Sequence, residues 1–184
     1  GNASPDVTSV GPVTINLTGI DGRHHQVVPG SDQPTASESV TPGVNKTITL
    51  LTSGATIPQA AHTTASWWTD NTNEFARSIL GNTAQLATAD AIAVTVNLAQ
   101  TCNAYYTGNT INFYSAGGGC SNTAFSTVVS HEWGHGLDDR YGGISQVNGL
   151  SEGWGDIVGL YLVDSPVLGS GFSTAGVGIR NGNN

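Results

Sequence analysis

Val128-Val129-Ser130-His131-Glu132-Trp133-Gly134-His135-Gly136-Leu137 carries two histidines four residues apart. On an α-helix, with 3.6 residues per turn, such a pair stands on one face, so two imidazoles can meet one metal ion. Glu132 sits about 100° further round the helix, where its carboxylate can reach the ion's outer side as a base. A catalytic zinc holds three protein side chains and leaves its fourth position to water. The pattern needs one more ligand.

Leu150-Ser151-Glu152-Gly153-Trp154-Gly155-Asp156 offers it, because Glu152 and Asp156 are again four apart and would share a face of a second helix. Glu152 is then the third ligand. Asp156 accepts from the free ring N–H of a liganding histidine and fixes its tautomer. A competing zinc pattern, with a third histidine six residues after the second, is absent: position 141 is Tyr141 and position 138 is Asp138. Taken alone, the short histidine motif fits an amphipathic helix with surface histidines equally well; the downstream carboxylates favour zinc.

The 184 residues suit one domain of ordinary size with a sizeable core. No stretch approaches eighteen unbroken apolar residues, so no membrane span is expected. Five basic against thirteen acidic residues, a net charge of −8, argue against nucleic acid and anionic membranes, which reward lysine and arginine. The chain begins at Gly1 and has no methionine, which reads as a chain whose leader has been removed. Low charge and 25 glycines fit an extracellular, loop-rich protein. In that setting Cys102 and Cys120 form one disulfide, the alternative being two buried thiols; with a His and Glu set complete, neither is needed for zinc. Sequons at Asn2, Asn16 and Asn45 would accept glycans in a eukaryotic secretory host, or arise by chance in a chain this rich in Asn, Ser and Thr.

Residues 1–57 show β-favouring runs, Val10 to Leu17 and Thr47 to Thr52, split by Pro and Gly turns. His24 and His25 lie beside Asp21-Gly22 in an expected turn, exposed. Pro58 opens a helix with Ala61, Ala65, Trp68, Phe75, Ile79 and Leu80 at helical spacing, ended by Gly81, with His62 and Trp67 as packing or rim residues. Ala91 to Leu98 alternates as a strand. Asn103 to Tyr106 reads as a loop and Thr110 to Tyr114 as a strand, around Gly108-Asn109. Gly117-Gly118-Gly119 is a turn without the lysine of a phosphate loop. Helices are expected from Ala124 to Tyr141 and from Leu150 to Val163. The chain divides into a β-rich segment 1–57, a zinc-bearing part 58–168, and a Gly- and Asn-rich tail 169–184.

With these residues in place, the chain resembles the thermolysin-like zinc metalloproteases, and Glu152-Gly153-Trp154-Gly155-Asp156 is closest to their fungalysin branch. Ala61-His62, Asn103-Ala104-Tyr105-Tyr106 with Gly108-Asn109, Val128-Val129, His131 to His135 and Glu152 to Asp156 follow the family's order, over about residues 58–164. The resemblance implies an α+β fold with zinc-bearing helices. It implies one Zn2+ on His131, His135 and Glu152, Glu132 as general base, and Asp156 behind the ligands. Asn103 and Ala104 would hold substrate backbone along an edge strand, and Val128 would line the pocket for the residue after the cut.

The chain also departs from the family. No histidine follows His135 to stabilise an oxyanion, and Tyr141 stands out of register for the family's tyrosine near the zinc. Thr127 and Val163 replace calcium-binding carboxylates, so calcium is not expected. The expectation is a secreted zinc metalloendopeptidase acting on peptide or protein substrates, with a C-terminal helical half of the same protease as partner. The alternatives are an inactive or non-catalytic zinc-stabilised module, and a carbohydrate-binding domain with Trp67, Trp68, Trp133 and Trp154 as platforms.

Overall fold

Thr56 and Gln59 exchange hydrogen bonds as a capping box and Pro58 sits in the first turn, which starts helix α1 at Ile57. It runs to Leu80 and is stopped by Gly81, whose φ of 72° suits a residue without Cβ. The computed structural model describes residues 11–183; Val10 and the Asn2 sequon lie outside them. The strands in order are β1 (Val13–Leu17), β2 (His25–Val27), β3 (Ala36–Val40), β4 (Ile92–Leu98), β5 (Ala104–Thr107), β6 (Thr110–Tyr114), β7 (Val167–Leu168) and β8 (Arg180–Asn181). The helices after α1 are α2 (Ala84–Ala89), α3 (Ser126–Arg140) and α4 (Leu150–Val163). The fold is α+β.

The main sheet has the order β2-β4-β6-β5. Strands β2, β4 and β6 are parallel, while β5 pairs antiparallel with β6 through the Gly108-Asn109 turn and forms the sheet's edge. Helix α1 packs on β2 and β4, α3 packs on β5 and β6, and the two helices touch, so both cover the same face. Ile92, Val94, Ile111, Phe113, Leu86, Val129 and Trp133 fill the space between them. Burying side chains of this size contributes about 1.5–3 kcal/mol each. The β1–β3 pair forms a separate antiparallel ribbon.

Several local expectations change. Thr47 to Thr52 forms no strand, and Ala104–Thr107 is a strand rather than a loop, because its backbone is taken up by β6. Ile79 and Leu80 are exposed; the buried side of α1 is completed by Thr69, Thr72 and Asn73. Their polarity is met locally, with Thr69 and Thr72 donating to carbonyls one turn back and Thr72 Oγ1 lying 2.9 Å from Ser130 Oγ on α3. His24 and His25 are buried, not exposed. His24 lies 2.9 Å from both Asp90, at the end of α2, and Glu74, and His25 2.9 Å from Asp70 and 2.8 Å from Ser66, so burial is offset by partners. Of these, Ser66, Asp70 and Glu74 on α1 fasten β2 and the residue before it to that helix. Trp133 is fully buried in the core and offers no platform to a sugar.

Candidate metal centre

Helix α3 is buried on nearly every side, as expected of a helix held between a sheet and a second helix. Val129, Trp133 and Leu137 take the core side, which leaves His131 and His135 facing α4. The two helices come together at glycines. A Cβ on Gly134 would stand 3.2 Å from the Cα of Gly155, and a Cβ on Gly155 would stand 2.7 Å from Nδ1 of His131. Side chains at either position would push α4 off the histidine.

This approach brings three donor groups to one point. Nε2 of His131 is 3.1 Å from Nε2 of His135, the imidazoles standing edge to face at 90°. Glu152 places its carboxylate oxygens 3.3 Å from His131 Nε2 and 3.6 Å from His135 Nε2. A tetrahedral ion with bonds of 2.0–2.2 Å separates its ligand atoms by about 3.3 Å. The three distances bracket that edge, and two imidazoles with one carboxylate form a donor set that suits zinc, so the residues fit such an ion. Glu152 keeps its side chain half exposed, so the point of convergence opens to solvent.

Behind the ligands, Asp156 Oδ1 lies 2.9 Å from His131 Nδ1, close enough for an ion pair although the ring N–H does not aim squarely at the oxygen. Arg180 grips the same carboxylate with two hydrogen bonds of 2.6 Å, from Nε and Nη2, and its Nη2 is 4.0 Å from Glu152. Ser151 Oγ lies 3.3 Å from Nδ1 of His135. Burial disfavours the Asp156 anion, but the contacts with His131 and Arg180 outweigh it and hold its pKa below the usual carboxylate value. Burial likewise opposes protonation of His131; Asp156, Glu132 and Glu152 reverse that and raise its pKa. His135 has only weaker compensation, so burial and the neighbouring His131 lower its pKa.

Glu132 is buried beside this cluster, and burial pushes its carboxyl up to about 7, with His131 opposing and Glu152 adding to the rise. A divalent cation between the ligands would act against that shift, since opposite charge favours the anion.

The cluster sits in a cleft of about 590 Å³. One wall is the start of the edge strand, Asn103, Ala104 and Tyr106; the other includes Leu168, Phe172, Ile179 and Arg180. Val128 lies at the base, nearly fully buried. Cys102 at the cleft mouth is bonded to Cys120, with Cα atoms 5.3 Å apart. Cys120 lies outside the cleft and Asp156 stands behind His131, while the other site residues expected from sequence, Glu132 included, line it together. Tyr141 does not: its hydroxyl is 3.0 Å from Thr83 Oγ1. Arg180 was missed. It lies 24 residues beyond Asp156 in a glycine-rich run, and only the pairing of β8 with β7 carries it back to α4.

Comparison with models of known protein families gives no match for this chain, and comparison with curated proteins gives none. The functional reading rests on the geometry and on the residue pattern.

Proposed function

We propose that this chain is a zinc metalloendopeptidase. The observation that carries the reading is the convergence of His131, His135 and Glu152 within 4.8 Å of one another at the foot of a cleft bounded by an open strand edge. Bound zinc would supply a water of pKa about 7 and polarise a substrate carbonyl. Glu132, next to the ligands and lining the same cleft, takes the water's proton and returns it to the leaving amine. Asp156 orients His131, and Arg180 orients Asp156. The exposed guanidinium of Arg180 also faces the cleft as a hydrogen-bond donor for substrate oxygen.

An extended peptide adds to the free edge of β5, with Asn103 and Ala104 beside its backbone, and Val128, Leu168 and Phe172 receive an apolar side chain after the cut. The Cys102–Cys120 disulfide supports an oxidising, extracellular setting. The outer face of α4 supports a further helical partner, such as a C-terminal half of the same protease. Leu150, Ile157 and Tyr161 are at least half exposed along it, on a helix apolar nearly all round.

The test pairs activity with metal content. Casein hydrolysis is expected, abolished by a chelator and restored by Zn2+. Glu132→Gln is expected to keep one zinc per chain and lose hydrolysis. Normal hydrolysis by that variant removes Glu132 as base. Stoichiometric zinc without any hydrolysis leaves the non-catalytic zinc module.

A further inference from the structure

A second hollow of about 450 Å³ lies where the N-terminal ends of α1 and α3 meet the 116–122 and 170–174 loops. Ala60, Ala61 and Ala124 line it, so small side chains leave it roomy, and Ile57 and Phe125 add apolar bulk. Among the described residues no charged side chain lines it, on a chain with a net charge of −8. Ile57 there is 63% exposed. The catalytic cleft differs sharply, with Glu132, Glu152, Asp138, Asp139 and Arg180 on its walls.

The two hollows share one thin partition. Cys102 lines the cleft and Cys120, bonded to it, lines the groove, their Cα atoms 5.3 Å apart. Phe172 lines the cleft while the preceding residue, Gly171, lines the groove. Hydrogen bonds of 2.8 Å from Ser121 N to Phe172 O and 2.9 Å from Ser121 Oγ to Gly171 O tie the two halves of the partition together. It is a fixed ridge with a cavity on each side.

Strand β5 leads to this ridge. Its open edge begins at Ala104, two residues after Cys102, and an extended chain advances about 3.3 Å per residue. A substrate lying antiparallel to β5, the commoner pairing, runs its C-terminal side towards Cys102. From Ala104 to Cys102 and across the ridge is then a span of about three to five residues.

We propose that the groove is a second recognition site for the polypeptide substrate, taking a bulky apolar side chain three to five residues further towards the substrate's C-terminus than the residue that pairs beside Ala104. The inference rests on the peptidase reading above, which places the substrate along β5. Thr64, Ser121, Asn122, Ser170 and Thr174 add polar groups at the lining, but Ile57, Phe125 and the alanines give it an apolar bed without charge, which favours an apolar side chain. The shared ridge makes the two hollows successive stations for one chain.

The test uses a short peptide spanning the cleft and versions extended at the C-terminus with Leu or with Asp at each of positions three to five. Affinity is measured by fluorescence anisotropy on zinc-loaded Glu132→Gln protein, and KM and kcat on the unaltered enzyme. One Leu extension is expected to bind about tenfold more tightly than its Asp counterpart and to lower KM with kcat unchanged. Ile57→Asp, an exposed position, removes that difference while circular dichroism stays native. Equal affinities for the Leu and Asp series, a gain only from N-terminal extensions, or a gain that survives Ile57→Asp overturns the groove. Absence of any cleavage overturns the peptidase reading instead, and the anisotropy comparison still decides the groove.

Discussion

Oδ1 of Asp156 stands 2.9 Å from Nδ1 of His131, on the ring edge away from the nitrogen that faces His135 and Glu152. A negative charge this close favours a proton on Nδ1, which would leave Nε2 of His131 free for a metal. Asp156→Asn is therefore expected to weaken zinc binding about 10–100-fold, read by competition with a chromophoric chelator. Arg180→Ala removes a contact one step further out and should weaken it less. Unchanged affinity in Asp156→Asn would mean that the imidazole is held by packing alone.

Gly155 sets how near α4 can come. A methyl there would meet His131 Nδ1 at 2.7 Å, so Gly155→Ala should displace the ring or the helix and lose zinc affinity. Gly153→Ala, on the same helix with nothing within 4 Å of its Cβ, is the matched control and should retain it. Equal zinc affinity in the two variants would refute the close-approach account.

Acid should loosen the fastening of β2. Burial lowers the pKa of His25 below 6.5 despite the attraction of Asp70. Asp70 is raised by burial but lowered more by the backbone N–H groups of Arg23 and His24 and by His25, so it ends below 3.8. Both folded values lie under their unfolded ones, so the folded state binds fewer protons and loses stability as pH falls. The loss begins near pH 6.5 with His25 and continues below pH 3.8 with Asp70. In chelator-treated protein, the Tm gap between the unaltered chain and His25→Gln should narrow from pH 8 to pH 5. A gap independent of pH would contradict this.

The disulfide joins residues 18 apart and stiffens the ridge at the cleft mouth. Closing a loop of that length contributes about 3 kcal/mol through the unfolded state. Replacing both cysteines with serine is expected to lower Tm by roughly 6–12 °C for a chain of this size. A shift under 2 °C by calorimetry would show that the loop is already ordered by its hydrogen bonds.

Helices α1, α3 and α4 and the histidine pair were legible because their signals are local, whereas the short α2 was not read from the sequence. Four-residue spacing places His131 with His135 whatever surrounds them, and Pro58 and Gly81 mark the ends of α1 by backbone chemistry, while the Thr56 cap came only with the structure. Glu152 and Asp156 were legible for the same reason. Arg180 was not, since its place depends on a two-residue strand pairing with Val167–Leu168. The burial of His24 and His25 was hidden too: their partners Asp70, Glu74 and Asp90 lie 45 to 66 residues away. The parallel order of β2, β4 and β6 is likewise a property of long crossovers, which no short window of residues contains.

The bare backbones of Gly134 and Gly155 have a thermodynamic corollary. Because the three candidate ligand side chains, His131, His135 and Glu152, are split between the two helices that meet there, binding of an ion by them and docking of those helices would be a single linked equilibrium. An ion that binds only the docked helices would stabilise that docking by about 2.7 kcal/mol when present at a hundred times its dissociation constant. An ion held this way would be a clasp as well as a reagent, and stripping it should unhook the second helix before the sheet feels the loss.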